Sequence, residues 1–282
     1  MNKFCVYIPN FNGAEFLKTI KIPQGFDCVV MDNCSKDSSE KICAKREFKF
    51  VKNKNHVSRV DNWLRCIDHF RNSEYEWLKW LFVGDELNNN AYAIISDSVS
   101  NFPEAAILIF DYDIINNSNV ERWRATNKDF EIKSFKDVSQ DIISRGNIFG
   151  ALLSTCISKR AVEFKIEAPD LDWVADLQIL YQMAKRGDTV FLPRKIGSFN
   201  SDNRKFFNKK ANHPHSYIEI LEVIKNIIRN TDDLDDKAAN DFILRSMSGC
   251  LRYNYANLKG VAKLQILVFK TIFTTFRQIF KN

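Results

Sequence analysis

Ile8-Pro9-Asn10-Phe11-Asn12-Gly13, Val29-Val30-Met31-Asp32-Asn33-Cys34-Ser35 and Trp80-Leu81-Phe82-Val83-Gly84-Asp85-Glu86-Leu87 decide the fold of this chain. Each stretch is an apolar run that ends in polar groups. Strands buried on both faces read as near-continuous apolar runs. The loops that leave the carboxyl ends of such strands in a parallel sheet converge on a crevice where ligands bind. Working outward, apolar runs at 3–8, 26–31, 48–51, 77–83 and 105–111 read as buried strands, and the intervals between them hold crossover helices. In 57–72 the apolar residues fall at 57, 60, 63, 64, 67 and 70, the spacing of a helix with one face for the sheet. The expected class is α/β.

Segment 112–137 is polar and aperiodic and reads as a variable loop region. A helix is predicted over about 172–186, closed by Gly187, followed by a strand at Thr189–Leu192. Helical periods then fill 214–230, 234–257 and 261–280, with Gly260 between the last two. This divides the chain into a sheet domain at 1–205 and a helical extension at 206–282.

Of the 282 residues 45% are hydrophobic, enough for a sizeable core. The seven cysteines lie mostly within apolar patterns and form no C-x-x-C pair, as expected of reduced thiols in the cytosol. The apolar run Phe4–Ile8 is too short for the core of a signal peptide or for a membrane span. The net charge of +6 is concentrated at one end: residues 1–241 carry 34 basic against 35 acidic side chains, and no acid follows Asp241. A nucleic-acid binder would spread basic residues among aromatics across its fold, so that class is set aside. On a helical wheel through 261–281, Lys263, Lys270, Arg277 and Lys281 oppose Leu264, Val268, Phe269, Ile272, Phe276, Ile279 and Phe280. That pattern suits a helix lying in an anionic membrane surface, or one packed in a core or dimer; loss of vesicle binding on deleting 261–282 would distinguish them.

Together the three opening stretches resemble the family 2 glycosyltransferases, and the resemblance covers about residues 3–200. It implies a GT-A fold, a Rossmann-like and mostly parallel sheet flanked by helices. It implies an inverting transfer from a nucleotide-sugar donor, UDP-linked by preference, to a hydroxyl of a growing surface glycan such as O-antigen or capsule. The acceptor would be lipid-linked at the inner face of a bacterial membrane.

Carried onto this chain, the resemblance gives Pro9, Asn10 and Asn12 to the nucleotide and Asp32 to its base. The alternative for Asp32 is an Asx turn with the residues that follow. Asp85 is given to a Mn2+ or Mg2+ ion, hard cations that take carboxylate oxygen and draw most of their ligands from diphosphate and water. The family's Asp-x-Asp is incomplete here, since Val83 stands at its first position. Arg59, Asn62 and Arg204 are further donor candidates; the family's Arg-x-x-His is absent around Ser198–Lys205.

Direct displacement requires one carboxylate to take the proton of the attacking hydroxyl. Within Asp170-Leu171-Asp172-Trp173-Val174-Ala175-Asp176-Leu177 the resemblance gives that role to Asp176, expected in the second turn of its helix. Asp172 is expected one turn earlier on the same face, toward acceptor hydroxyls or exchanging roles with Asp176, and Asp170 merely complements the helix dipole. His213 and His215 are weaker candidates for a further metal ligand. A non-catalytic nucleotide-sugar-binding or scaffolding subunit is the alternative class. A nucleotidyltransferase would carry a Gly-rich basic loop after the first strand, and Pro9–Gly13 is not one.

Overall fold

The structure is a computed structural model and describes residues 3–116, 119–168, 171, 172, 174–200 and 214–231. The elements run β1 (Phe4–Asn10), α1 (Ala14–Thr19), β2 (Asp27–Asp32), α2 (Ser39–Lys45), β3 (Lys49–Lys52), α3 (Arg59–Arg71), β4 (Trp77–Trp80), β5 (Glu86–Leu87), α4 (Ala91–Asn101) and β6 (Ile107–Asn116). They continue with β7 (Asn119–Trp123), β8 (Glu131–Lys133), α5 (Phe135–Arg145), β9 (Thr155–Ser158), α6 (Ala175–Ala184), β10 (Thr189–Asn200) and α7 (Pro214–Asn230). Arg204, His213, the helices expected at 234–257 and 261–280, and the basic tail lie outside the described residues, as does Asp170.

Ten strands form one sheet in the order β3-β2-β1-β4-β9-β6-β10-β5, with β7 beside β6 and β8 beside β10. The first four are mutually parallel, as are β6 and β10, while β9 runs antiparallel between β4 and β6. Burial on both faces explains the continuous apolar text of β1. Phe4, Val6 and Ile8 pack with Leu17 of α1 and Ile20 just beyond it, with Ile42 and Cys43 of α2, and with Trp77, Leu81 and Leu108. On the opposite face Tyr7 meets α3, where its hydroxyl pairs with His69 Nδ1 at 2.8 Å and its ring lies edge-on to Phe70.

The chain divides into two compact units. The first comprises residues 1–138 and 147–205 and contains the sheet. The second takes in 139–146 and residues from 206 onward. Among its described residues Ile142, Ile143, Val223, Ile224 and Ile227 are buried, and Thr231 Oγ1 hydrogen-bonds Ser139 Oγ at 3.1 Å.

Segment 112–137 is corrected by the structure. It is no variable loop: β6 runs through to Asn116, β7 returns along it, and β8 and the start of α5 follow. Its polar residues satisfy one another across strands. The fully buried Asp111 accepts from Arg122 and from the backbone N–H of Ala125, and Lys195 of β10 pairs with Asp113 at 2.7 Å. A hairpin laced by charges lacks the apolar alternation that marks a strand.

Candidate active site at the carboxyl edge of the sheet

The loops after β1 and β2 are tied into one floor. Asn10, fully buried at the end of β1, donates from Nδ2 to Asp32 Oδ1 at 2.8 Å, to Ser39 Oγ at 3.1 Å and to Ser35 Oγ at 3.2 Å. Asp32 also accepts from the Ser35 hydroxyl, and its second oxygen accepts from the Ser35 backbone N–H at 2.8 Å. The bond to Ser35 N closes the loop locally, reaching three residues on where an Asx turn reaches two. The carboxylate has no exposed surface and three internal donors, which hold the loop in shape.

Asn12 adopts a left-handed φ of 51°, which asparagine tolerates. Its N–H donates to Ser35 Oγ at 2.8 Å, and its Oδ1 accepts from Lys36 N at 2.9 Å. Pro9 precedes this loop, partly exposed and paired with Met31 of β2.

Ser38 is the N-cap of α2, and Asp37 before it ties two helices together. It accepts from Ala14 N, the first residue of α1, at 2.9 Å, and from the Ser39 hydroxyl and N–H at 2.6 and 3.0 Å. Desolvation pushes its pKa up, but these hydrogen bonds outweigh it and hold the carboxyl below its usual range.

A second tie brings in β3 and α3 through asparagines. Asn53 donates to Asn62 Oδ1 at 2.8 Å and to Asn33 Oδ1 at 3.3 Å, and Asn62 donates to the Met31 carbonyl at 3.3 Å. Asn33 holds both backbone groups of Val57, at 2.8 and 2.9 Å. Asn62 is therefore a buried brace that fixes where α3 begins. Ser58 caps that helix by accepting from Asp61 N.

Asp85 ends the turn Phe82-Val83-Gly84-Asp85, closed by Asp85 N to Phe82 O at 2.9 Å. Gly84 has φ 92°, which a side chain would strain. Asp85 is fully buried, whereas Glu86 beside it is exposed. The turn is held from behind at Gly197 of β10, which pairs with Leu87; a Cβ built there would lie 2.2 Å from the Glu86 carbonyl oxygen. No cluster of three or more His, Cys, Asp or Glu side chains capable of holding a metal occurs among the described residues. One buried hard-oxygen ligand fits a Mg2+ or Mn2+ ion that arrives with diphosphate, and does not fit a preformed protein cage.

Below this turn lies Lys79, fully buried on β4. Its ammonium donates to the carbonyls of Trp80 at 3.1 Å and Thr155 at 3.2 Å, and to that of Leu153. Burial pulls its pKa down to about 8, against the opposing pull of Cys156 and Asp85.

Arg59 and Asp172, 113 residues apart, meet as an ion pair at 2.9 Å. Arg59 also donates to the Asp172 carbonyl, and its guanidinium lies 4.9 Å from the centre of the Trp63 ring. Trp63 meets Phe82 edge to face at 5.4 Å, so the start of α3 adjoins the Asp85 turn.

The acidic segment differs from expectation. Helix α6 starts at Ala175 with Val174 as N-cap, which places Asp176 in the first turn, half-buried, with Oδ1 accepting from Leu177 N at 2.9 Å. Asp172 lies outside the helix and is exposed, so the two carboxylates do not share a helix face. Asp176 is within reach of the helix dipole after all.

Sequence reasoning passed over Ser35, Ser39 and Asn53, whose roles depend on partners far along the chain. It also passed over Phe11, 51% exposed, whose ring packs against His56 at 4.8 Å at the same edge. Its signal was an aromatic residue set in a polar turn.

No family model matches this sequence, and no curated protein sequence matches it. Solved structures do. A crystal structure of S. aureus TarS 1-349 in complex with UDP-GlcNAc aligns with a TM-score of 0.68 at 14% identity, over 95% of this chain and 79% of that one. The same fragment in complex with UDP gives 0.61 at 14% identity, over 93% and 77%. A crystal structure of S. aureus TarS gives 0.59 at 15% identity, over 93% of this chain and 46% of that one. At such identities the likeness establishes the fold: a mixed sheet flanked by helices in the GT-A arrangement.

Proposed function

We propose that this chain is a glycosyltransferase that moves a sugar from a UDP-linked donor to a hydroxyl of a growing surface glycan such as O-antigen or capsule, with inversion at the anomeric carbon. The observation that carries this reading is the convergence of the Asn10–Asn12 loop, the Asp32–Ser35 turn and the Asp85 turn on one sheet edge. The fold is shared with a protein crystallised with UDP-GlcNAc, which supports the reading.

In this account the laced loops present backbone groups and the Phe11 ring, a flat apolar face of the kind on which a pyrimidine stacks. Asp32 and Asn62 contribute by bracing those loops. Asp85 would hold a Mn2+ or Mg2+ ion, which when bound neutralises charge on the leaving diphosphate. Asp176 takes the proton of the attacking hydroxyl, and Asp172 serves the acceptor side.

The assignment of the base is tested by Asp176→Asn, which should bind UDP as the unmodified chain does while losing at least a hundredfold in transfer, the usual worth of a general base. Undiminished transfer would remove Asp176 from the role. The scaffold alternative rests on the single carboxylate at the Asp85 turn and on the absent Arg-x-x-His, and turnover by the unmodified chain would exclude it.

A further inference from the structure

Resting on the donor reading above, we propose that Arg59 is a phosphate ligand held in reserve by Asp172, so that donor and acidic segment are alternative partners of one guanidinium. Three observations lead there. Arg59 starts the helix that Asn62, Asn53 and Asn33 fix to the carboxyl edge, and Trp63 in the next turn touches Phe82 of the Asp85 turn, so Arg59 flanks the place where a diphosphate would lie. Its Nε–H is buried yet meets no acceptor, a donor that gains when an anionic oxygen arrives. The ion pair itself is exposed: the two side chains are 34% and 53% exposed, and ion pairs so exposed contribute little.

A diphosphate brings more charge than a carboxylate and several oxygens for a planar guanidinium. It therefore competes with Asp172 for Arg59 and repels the carboxylate from the same spot. Trp63 keeps the guanidinium in place during the exchange by holding it against the ring face. The consequence is an order of events: donor binding breaks the Arg59–Asp172 pair before Asp172 engages acceptor hydroxyls. In the absence of donor, the same pair keeps Asp172 at the start of α3.

The test is a calorimetric titration of UDP with Mn2+ into the full chain, into Asp172→Asn, into Arg59→Ala, and into the double variant. Competition predicts that Asp172→Asn binds UDP about two- to fivefold more tightly than the unmodified chain, the range an exposed ion pair can withhold. It further predicts that the gain vanishes in the Arg59→Ala background. Equal or weaker binding by Asp172→Asn would overturn the exchange, and so would a gain that persists without Arg59, because the effect would then be general charge removal. Failure of the unmodified chain to bind UDP at all would instead overturn the donor reading, and the exchange with it.

Discussion

Asp32 shows how one residue's partners decide its work. Its oxygens accept from Asn10, the Ser35 hydroxyl and the Ser35 N–H, with no surface left exposed. Asp32→Asn would set an amide N–H2 against groups that are themselves donors, and a buried donor without an acceptor costs about 1–3 kcal/mol. Urea unfolding should show a loss of that size. Intact stability together with lost UDP binding would return Asp32 to direct contact with the base. Lys79 gives a second residue-scale expectation. Its pKa is about 8 in the fold against the usual 10.5, so between those values the unfolded chain holds the proton more tightly. Stability relative to Lys79→Met should therefore rise as pH climbs from 8 to 10.5, measured as the difference between the two unfolding curves. A difference that stays flat or falls over that window would contradict the lowered pKa that burial gives this ammonium.

Among the elements, the β5–β10 pairing has the least room. Gly197→Ala places a methyl 2.2 Å from the Glu86 carbonyl oxygen, a backbone atom with nowhere to go, so the Asp85 turn must shift. The expected result is a cost of about 1–3 kcal/mol, as for overpacking in a core, and weaker metal-assisted UDP binding. An unperturbed variant would mean that the turn is not held from β10. Elements were legible where burial wrote them. The strands β1, β2, β3 and β4 begin within a residue or two of their apolar runs, and α3 follows its helical period. The β6–β7 hairpin was not legible because Asp111, Asp113 and Arg122 are satisfied by partners that only the folded register supplies. The start of α6 was misplaced because Val174 caps it with no side-chain hydrogen bond, so no sequence signal marks the boundary. The same gap hid that Asp172 stands off the helix, paired with Arg59.

For the molecule as a whole, the ends of β1 and β2 and the turn after β4 could be read as one ligand edge, because a parallel arrangement must bring them together. What could not be read was how that edge is braced. Asn33, Asn53 and Asn62 resemble ordinary loop and helix polars in the text, and their network spans three elements. The likeness to S. aureus TarS at 14% identity shows the same architecture surviving with little of the sequence in common. The central claim is that this edge takes a nucleotide-sugar together with a divalent cation that Asp85 would hold. Calorimetric titration of the full chain with UDP-GlcNAc and other UDP-sugars, with and without Mn2+, in parallel with Asp85→Asn, tests it most directly. The account predicts binding of a UDP-sugar that Mn2+ strengthens in the unmodified chain and no longer strengthens in Asp85→Asn; absence of binding to every UDP-sugar, or a Mn2+ effect that survives the loss of the carboxylate, would contradict it.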